Sequence, residues 1–188
     1  METIFGAKQP VLHPFNKLPE LNSAVVLLIG FQSIKKKELA EAMVALNTEF
    51  CLQVRTATQL PLPSMNDEQR PKIDLIVFIL DVNVNMSLKT VADSLPHLDP
   101  TYFLGRVCFL ALNAPSEKTQ CADLGDILAL CDAYDSPLIC GDLETQEQRE
   151  SLARRLVEMT EIAAGFKNGI SPLLIQSTRR SYQFVKSL

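Results

Sequence analysis

The chain has 188 residues, 47% hydrophobic and 21% charged, with a net charge of −4. That length suits one domain, large enough to bury about 70% of its unfolded surface without disulfide staples. The acidic balance argues against a surface built for polyanions, and no apolar stretch reaches the roughly 18 residues that would cross a membrane.

Residues 1–19, with Pro10, Pro14 and Pro19, read as an arm before the first element. Ala24 to Gly30 is an unbroken apolar run closed by glycine, a buried strand, and Ile34 to Leu46 then follows a helical period. Cys51 to Thr56 is a second apolar segment, followed by a proline-punctuated loop over 57–71. Ile73 to Leu80 reads as another buried strand. Ser87 is the expected N-cap of a helix running to Leu98, with Pro96 disturbing its end. Arg106 to Leu112 is a third buried strand, Ala122 to Tyr134 a helix and Pro137 to Cys140 a short strand. A long helix is expected from about Thr145 to Ala164. Thr145 and Gln148 have capping-box spacing, Gly165 is a stop signal, and Leu152, Leu156, Met159 and Ala163 form the apolar face. Strands that are apolar throughout and alternate with helices imply a doubly wound α/β domain over 20–166. Its sheet is mostly parallel with helices on both faces, and a tail follows over 167–188.

The first strand, loop and helix form the setting of a phosphate loop, G-x-x-x-x-G-K-[ST]. Gly30 and Lys36 fall in register, but Lys35 stands at the second glycine and Lys37 at the hydroxyl residue. The glycines of such a loop let backbone N–H groups turn toward phosphate; a non-glycine residue held left-handed costs about 1–2 kcal/mol. Lys37 brings a cation where the hydroxyl should hold Mg²⁺. The triplet Lys35–Lys37 therefore reads as a solvated basic patch at a helix start. No D-x-x-G occurs, and the roughly 16 residues between the second and third strands leave no room for the strand, metal loop and switch helix of an active small GTPase. The guanine-reading N-K-x-D is reduced to Asn113-Ala114-Pro115-Ser116, which keeps the asparagine and loses the carboxylate. The expectation is a small-GTPase-like fold without catalysis, cofactor or metal.

Other chemistry is sparse. His13 and His97 are the only histidines and read as surface residues; Asp74 and Asp81 bracket a buried strand, and no set has zinc-ligand spacing. The five cysteines show no C-x-x-C. Cys51, Cys108 and Cys140 lie in or beside predicted strands, so buried reduced thiols in a reducing compartment are expected. The N-terminus lacks a basic start followed by an apolar stretch, so no secretory leader is expected.

Several segments are similar to the centromere protein M family. They are Lys17-Leu18-Pro19-Glu20-Leu21-Asn22, Leu60-Pro61-Leu62-Pro63-Ser64, Arg70-Pro71-Lys72-Ile73-Asp74, Phe103-Leu104-Gly105-Arg106-Val107-Cys108 and Ser136-Pro137-Leu138. The likeness runs in order from about 17 to 165. It implies a GTPase-like fold that binds no nucleotide, at the inner kinetochore in the nucleus. It also implies direct contact with centromere protein I and a shared subcomplex with centromere proteins H and K. Three faces are candidates for partner binding: Val157 and Ile162 off the apolar stripe of the last helix, the helix at 87–98, and the tail with Leu173, Leu174, Tyr182 and Phe184. Two other functions compete. One is a divergent nucleotide sensor using Lys36; the other is centromeric DNA binding through Lys35–Lys37 and Arg154-Arg155.

Overall fold

The computed structural model describes residues 11–14, 17–32, 34–63, 70–114 and 122–171. Five strands form one sheet: β1 Ser23–Gly30, β2 Cys51–Ala57, β3 Leu75–Asp81, β4 Val107–Leu112 and β5 Leu138–Gly141. They lie in the order β2-β1-β3-β4-β5 and every pairing is parallel. Among the described residues three α-helices lie between strands, α1 Lys36–Val44, α2 Asn85–Ser94 and α3 Ala122–Ala133, and a fourth, α4 Gln146–Ala164, follows β5. This is the small-GTPase-like doubly wound arrangement. The order in which successive strands are added reverses between β1 and β3, the place where such sheets open a crevice at their carboxyl ends.

Burial on both faces explains why the central strands are apolar throughout. Ala24, Val26 and Leu28 of β1 point into a core shared with Leu39 and Met43 of α1 and Leu156 of α4. Val25, Leu27 and Ile29 point the other way, into a core shared with Val91 of α2 and Ile127 of α3. β3 and β4 alternate in the same manner. Burying one such aliphatic side chain stabilises by about 1.5–3 kcal/mol, so these three strands dominate the hydrophobic term.

Several boundaries move for local reasons. Ser87 is not an N-cap: α2 starts at Asn85, and the buried Ser87 hydroxyl accepts the Asp81 N–H at 2.9 Å. α2 ends at Ser94, and Pro96, which lacks an N–H, sits in a separate 3-10 turn over Leu95–His97. β3 begins at Leu75 because the carboxylate of Asp74, not a backbone carbonyl, accepts the Val25 N–H at 3.0 Å. The capping box at α4 forms: Gln148 N–H reaches the Thr145 hydroxyl at 3.2 Å and Thr145 N–H reaches Gln148 Oε1 at 2.9 Å. Gly165 closes that helix at φ 84°, the left-handed conformation that glycine adopts without strain.

Two expectations about exposure fail. Val157 is only 5% exposed and belongs to the core, because the buried face of α4 includes Ala153, Val157 and Thr160 beside Leu152, Leu156 and Ala163. Ile162 is half-buried. Cys108 is buried as expected, but Cys51 and Cys140 are exposed, since β2 and β5 are the sheet's two edges.

Candidate functional site

The crevice at the carboxyl rim of the sheet is where a doubly wound fold places a ligand, and the two nucleotide-motif remnants flank it. Gly30 ends β1 there. A Cβ on it would lie 2.8 Å from the Ile79 carbonyl oxygen and 3.2 Å from Ile79 Cβ, so close packing of β1 on β3 requires glycine at this position. The motif's first glycine thus survives for a reason unrelated to phosphate.

Past Gly30 the chain satisfies its own polar groups. Ile34 N–H donates to the Phe31 carbonyl at 3.2 Å and Lys36 N–H to the Ile34 carbonyl at 2.6 Å, amides that a phosphate cradle would turn outward. Lys35 and Glu144 form a salt bridge at 2.9 Å between the β1–α1 loop and the segment before α4. Lys37 is exposed and lies 3.8 Å from Glu41, one helical turn on.

Lys36 is the departure from the expected basic patch. It is 8% exposed, and its ammonium donates to the carbonyls of Gly30, Phe31 (3.3 Å) and Ala57 (3.0 Å). An ammonium has three N–H donors, so these three acceptors use its capacity. Burial holds its pKa below the ordinary lysine value. Lys36 shares one helix face with Leu39 and Met43, which are also buried; that i, i+3, i+7 spacing was the available sign that it points inward. Its head ties the start of α1 to the ends of β1 and β2.

The second remnant is exposed but likewise bonded within its own chain. Asn113 sits after β4 at φ 57°, which asparagine tolerates better than most residues. Its Nδ2 donates to Asp81 Oδ1 at 3.0 Å and its backbone N–H to Asp142 Oδ1 at 2.8 Å. Asp81 Oδ1 also accepts the Asn83 N–H at 2.9 Å. Asn113 therefore joins β3, β4 and the turn after β5. Ala114 packs against the α2–α3 core, and Ser116 lies outside the described residues. Asp142 and Glu144 were invisible as site residues in the sequence, because only folding brings them beside residues some thirty to one hundred positions away. Among the described residues, no cluster of three or more His, Cys, Asp or Glu could hold a metal ion.

Asp74 and Asp81, at the two ends of β3, do not meet as a pair. Asp74 binds Lys72 at 2.7 Å and lies 3.9 Å from Arg106. His13 pairs with Asp99 at 2.6 Å, pinning the arm beside Leu98.

Residues 9–182 match the family model for centromere protein M. The chain belongs to the centromere protein M family. It is 40% identical to human centromere protein M over 171 residues, spanning 91% of this chain and 94% of the human one. It is 34% identical to the Xenopus laevis protein over 166 residues, 88% and 92% of the two chains. The Danio rerio protein is 37% identical over 168 residues, 89% and 90%. Membership places the chain among centromere proteins. Of the expected partner-binding residues, Leu173, Leu174, Tyr182 and Phe184 lie outside the described residues.

Proposed function

We propose that this protein is a non-catalytic structural subunit of the inner kinetochore, acting in the nucleus at the centromere. In this reading it is a pseudo-GTPase, binds centromere protein I directly, and stabilises a subcomplex that includes centromere proteins H and K. One observation carries the loss of nucleotide chemistry: the Lys36 ammonium is already committed to three backbone carbonyls of its own chain. A phosphate could recruit it only by breaking those bonds, and each buried carbonyl left unpaired costs about 1–3 kcal/mol. The Lys35–Glu144 bridge and the Asn113–Asp81 bond use the neighbouring recognition groups in the same way.

An obligate subunit interface is large and relatively apolar. Beyond Ile162, the end of α4 leads to Phe166 and Ile170, 37% and 40% exposed, and then into the tail. This end of the chain is the proposed docking element for centromere protein I.

The test is calorimetric titration with GDP or GTP plus Mg²⁺, and in parallel with centromere protein I, using the full chain and one truncated after residue 170. The expected result is no heat with nucleotide, sub-micromolar binding of protein I by the full chain, and loss of that binding on truncation. Saturable nucleotide binding abolished by Lys36→Ala would overturn the pseudo-GTPase reading. Undiminished binding by the truncated chain would overturn the docking element.

A further inference from the structure

β2 is an edge strand. β1 pairs with it in unbroken register, from Ser23 against Cys51 to Ile29 against Ala57, and no described strand pairs with its other side. The Cys51 N–H donates to the Asn22 carbonyl at 2.8 Å, and the Ala57 carbonyl accepts the Lys36 ammonium beside Gly30. Both residues therefore turn their backbone groups toward β1. That direction alternates along a strand, so Leu52, Val54 and Thr56 turn theirs outward. Among the described residues, none of these outward N–H and C=O groups has a hydrogen-bond partner.

Exposed edges are ordinarily guarded by lysine, proline, a bulge or brevity. β2 runs Cys-Leu-Gln-Val-Arg-Thr-Ala over 7 residues, with neither lysine nor proline and no bulge in its register. The space beside it is shaped by α1. α1 packs over β2 and α4 over β1 and β3, and the flank of α1 bearing Glu38, Ala42 and Leu46 faces Gln146 and Arg149 of α4. At about 3.6 residues per turn the opposite flank carries Lys37, Ala40 and Val44, and it overhangs the free edge of β2. Val44, although aliphatic, is 57% exposed there. With the half-buried Leu52 and Val54 it forms an apolar shelf beside the unpaired backbone. On the strand's other face Arg55 is exposed and has no ion pair among the described residues.

We propose that the free edge of β2 receives an extended segment of a partner protein as an added strand, with apolar side chains on the shelf of Val44, Leu52 and Val54 and a carboxylate facing Arg55. Outward N–H and C=O groups in regular alternation are matched by another extended backbone, not by a helix face or a row of phosphates. The Arg55 guanidinium selects an acidic residue in that segment, since opposite charges across neighbouring strands attract. The edge also continues the docking element at the end of α4. Phe50, the residue before β2, stacks on Phe166 with ring centroids 4.7 Å apart, so a partner seated at the end of α4 can lay an extended chain along β2. The inference rests on the reading of the protein as an assembly subunit and adds to it a contact made through main chain.

The test is titration of the full chain, by anisotropy, against a short fluorescent peptide alternating valine and glutamate. Two further versions carry N-methyl groups, one on the valines and one on the glutamates. Alternate residues of an added strand point their N–H toward β2, so one methylated version should lose binding and the other keep it. A merely electrostatic contact would treat both alike. Thr56→Pro removes an outward donor without touching the ladder to β1 and should weaken binding about tenfold or more. Val44→Lys, at an exposed helix position, should give a milder loss, and it decides the matter if thermal unfolding shows that Thr56→Pro disturbs the fold. Absence of saturable binding, equal affinity of the two methylated peptides, or full affinity in both variants overturns the added strand. Binding that appears only after truncation beyond residue 170 assigns the edge to the chain's own tail, and a dimer abolished by Thr56→Pro assigns it to a second copy. Either result overturns the partner segment. Titrating centromere protein I against the wild type separates the two readings. Its binding without peptide binding overturns the edge alone, whereas peptide binding without it keeps the edge and overturns the assembly reading.

Discussion

The carboxyl rim of the sheet and the cleft beside α2 are both rich in basic side chains, yet they deploy them in opposite ways. The cleft consists of two adjoining cavities, which share Leu62, Arg70, Pro71 and Ile73, between the arm, the turn after β2 and the approach to β3. At the rim, Lys35 is bridged to Glu144 and Lys36 is enclosed by carbonyls. In the cleft, cations from the arm, β2 and the approach to β3 line one concavity. The lesson is that a cluster of lysines in the sequence and a cationic surface in the fold are different things. Lys35–Lys37 are consecutive and have three separate fates, whereas Lys17, Arg55 and Arg70 are far apart in sequence and line one concavity.

The largest test of this contrast is Asp74→Ala, which removes the carboxylate behind the cleft. It leaves Lys72 and Arg106 without that counter-charge and the Val25 N–H without its acceptor. Breaking a buried pair from one side costs about 3–5 kcal/mol, readable as a lower urea midpoint with unchanged slope. A loss below about 1 kcal/mol would mean that solvent readily replaces Asp74. Next is Lys36→Met at the rim, which keeps the stem and removes the ammonium. It should destabilise by about 1–3 kcal/mol through unpaired carbonyls while leaving the response to GTP and Mg²⁺ unchanged. A variant as stable as the wild type would show that the rim does not depend on this internal cation.

The smallest effect concerns the arm. Bonds from the Thr101 hydroxyl and N–H, with His13 adding to them, hold the Asp99 carboxyl below its usual range. A depressed folded pKa stabilises the protein above the usual carboxylate range, and that contribution is lost as pH falls through the folded value. Asp99→Asn should therefore flatten the acid limb of stability against pH. An unaltered acid limb would remove Asp99 from the account of how the arm is held.

The sequence disclosed what two-sided burial imposes. β1, β3 and β4 were legible because neither of their faces meets water, and α4 because its capping residues and glycine stop are local. Val157 was misread because the buried face of α4 is wider than the four-residue stripe that identified it. Lys36 was misread because a lysine in motif register draws attention to ligands and away from its buried neighbours Leu39 and Met43. The cleft left no trace in the sequence, since its residues are scattered from 11 to 102 and meet only in the folded chain.

The two exposed thiols among the described residues offer a practical handle. Cys51 and Cys140 lie on opposite edge strands, separated by the sheet's full width, roughly 19 Å at four inter-strand spacings. Cys108 and Cys131 are buried, and burial pushes the Cys108 thiol up to about 12, so neither should compete for a thiol-reactive reagent at neutral pH. Desolvation also raises the Cys140 thiol, which slows its labelling and favours a mildly alkaline reaction. Probes attached to the two edges would report separately which side of the protein a partner covers.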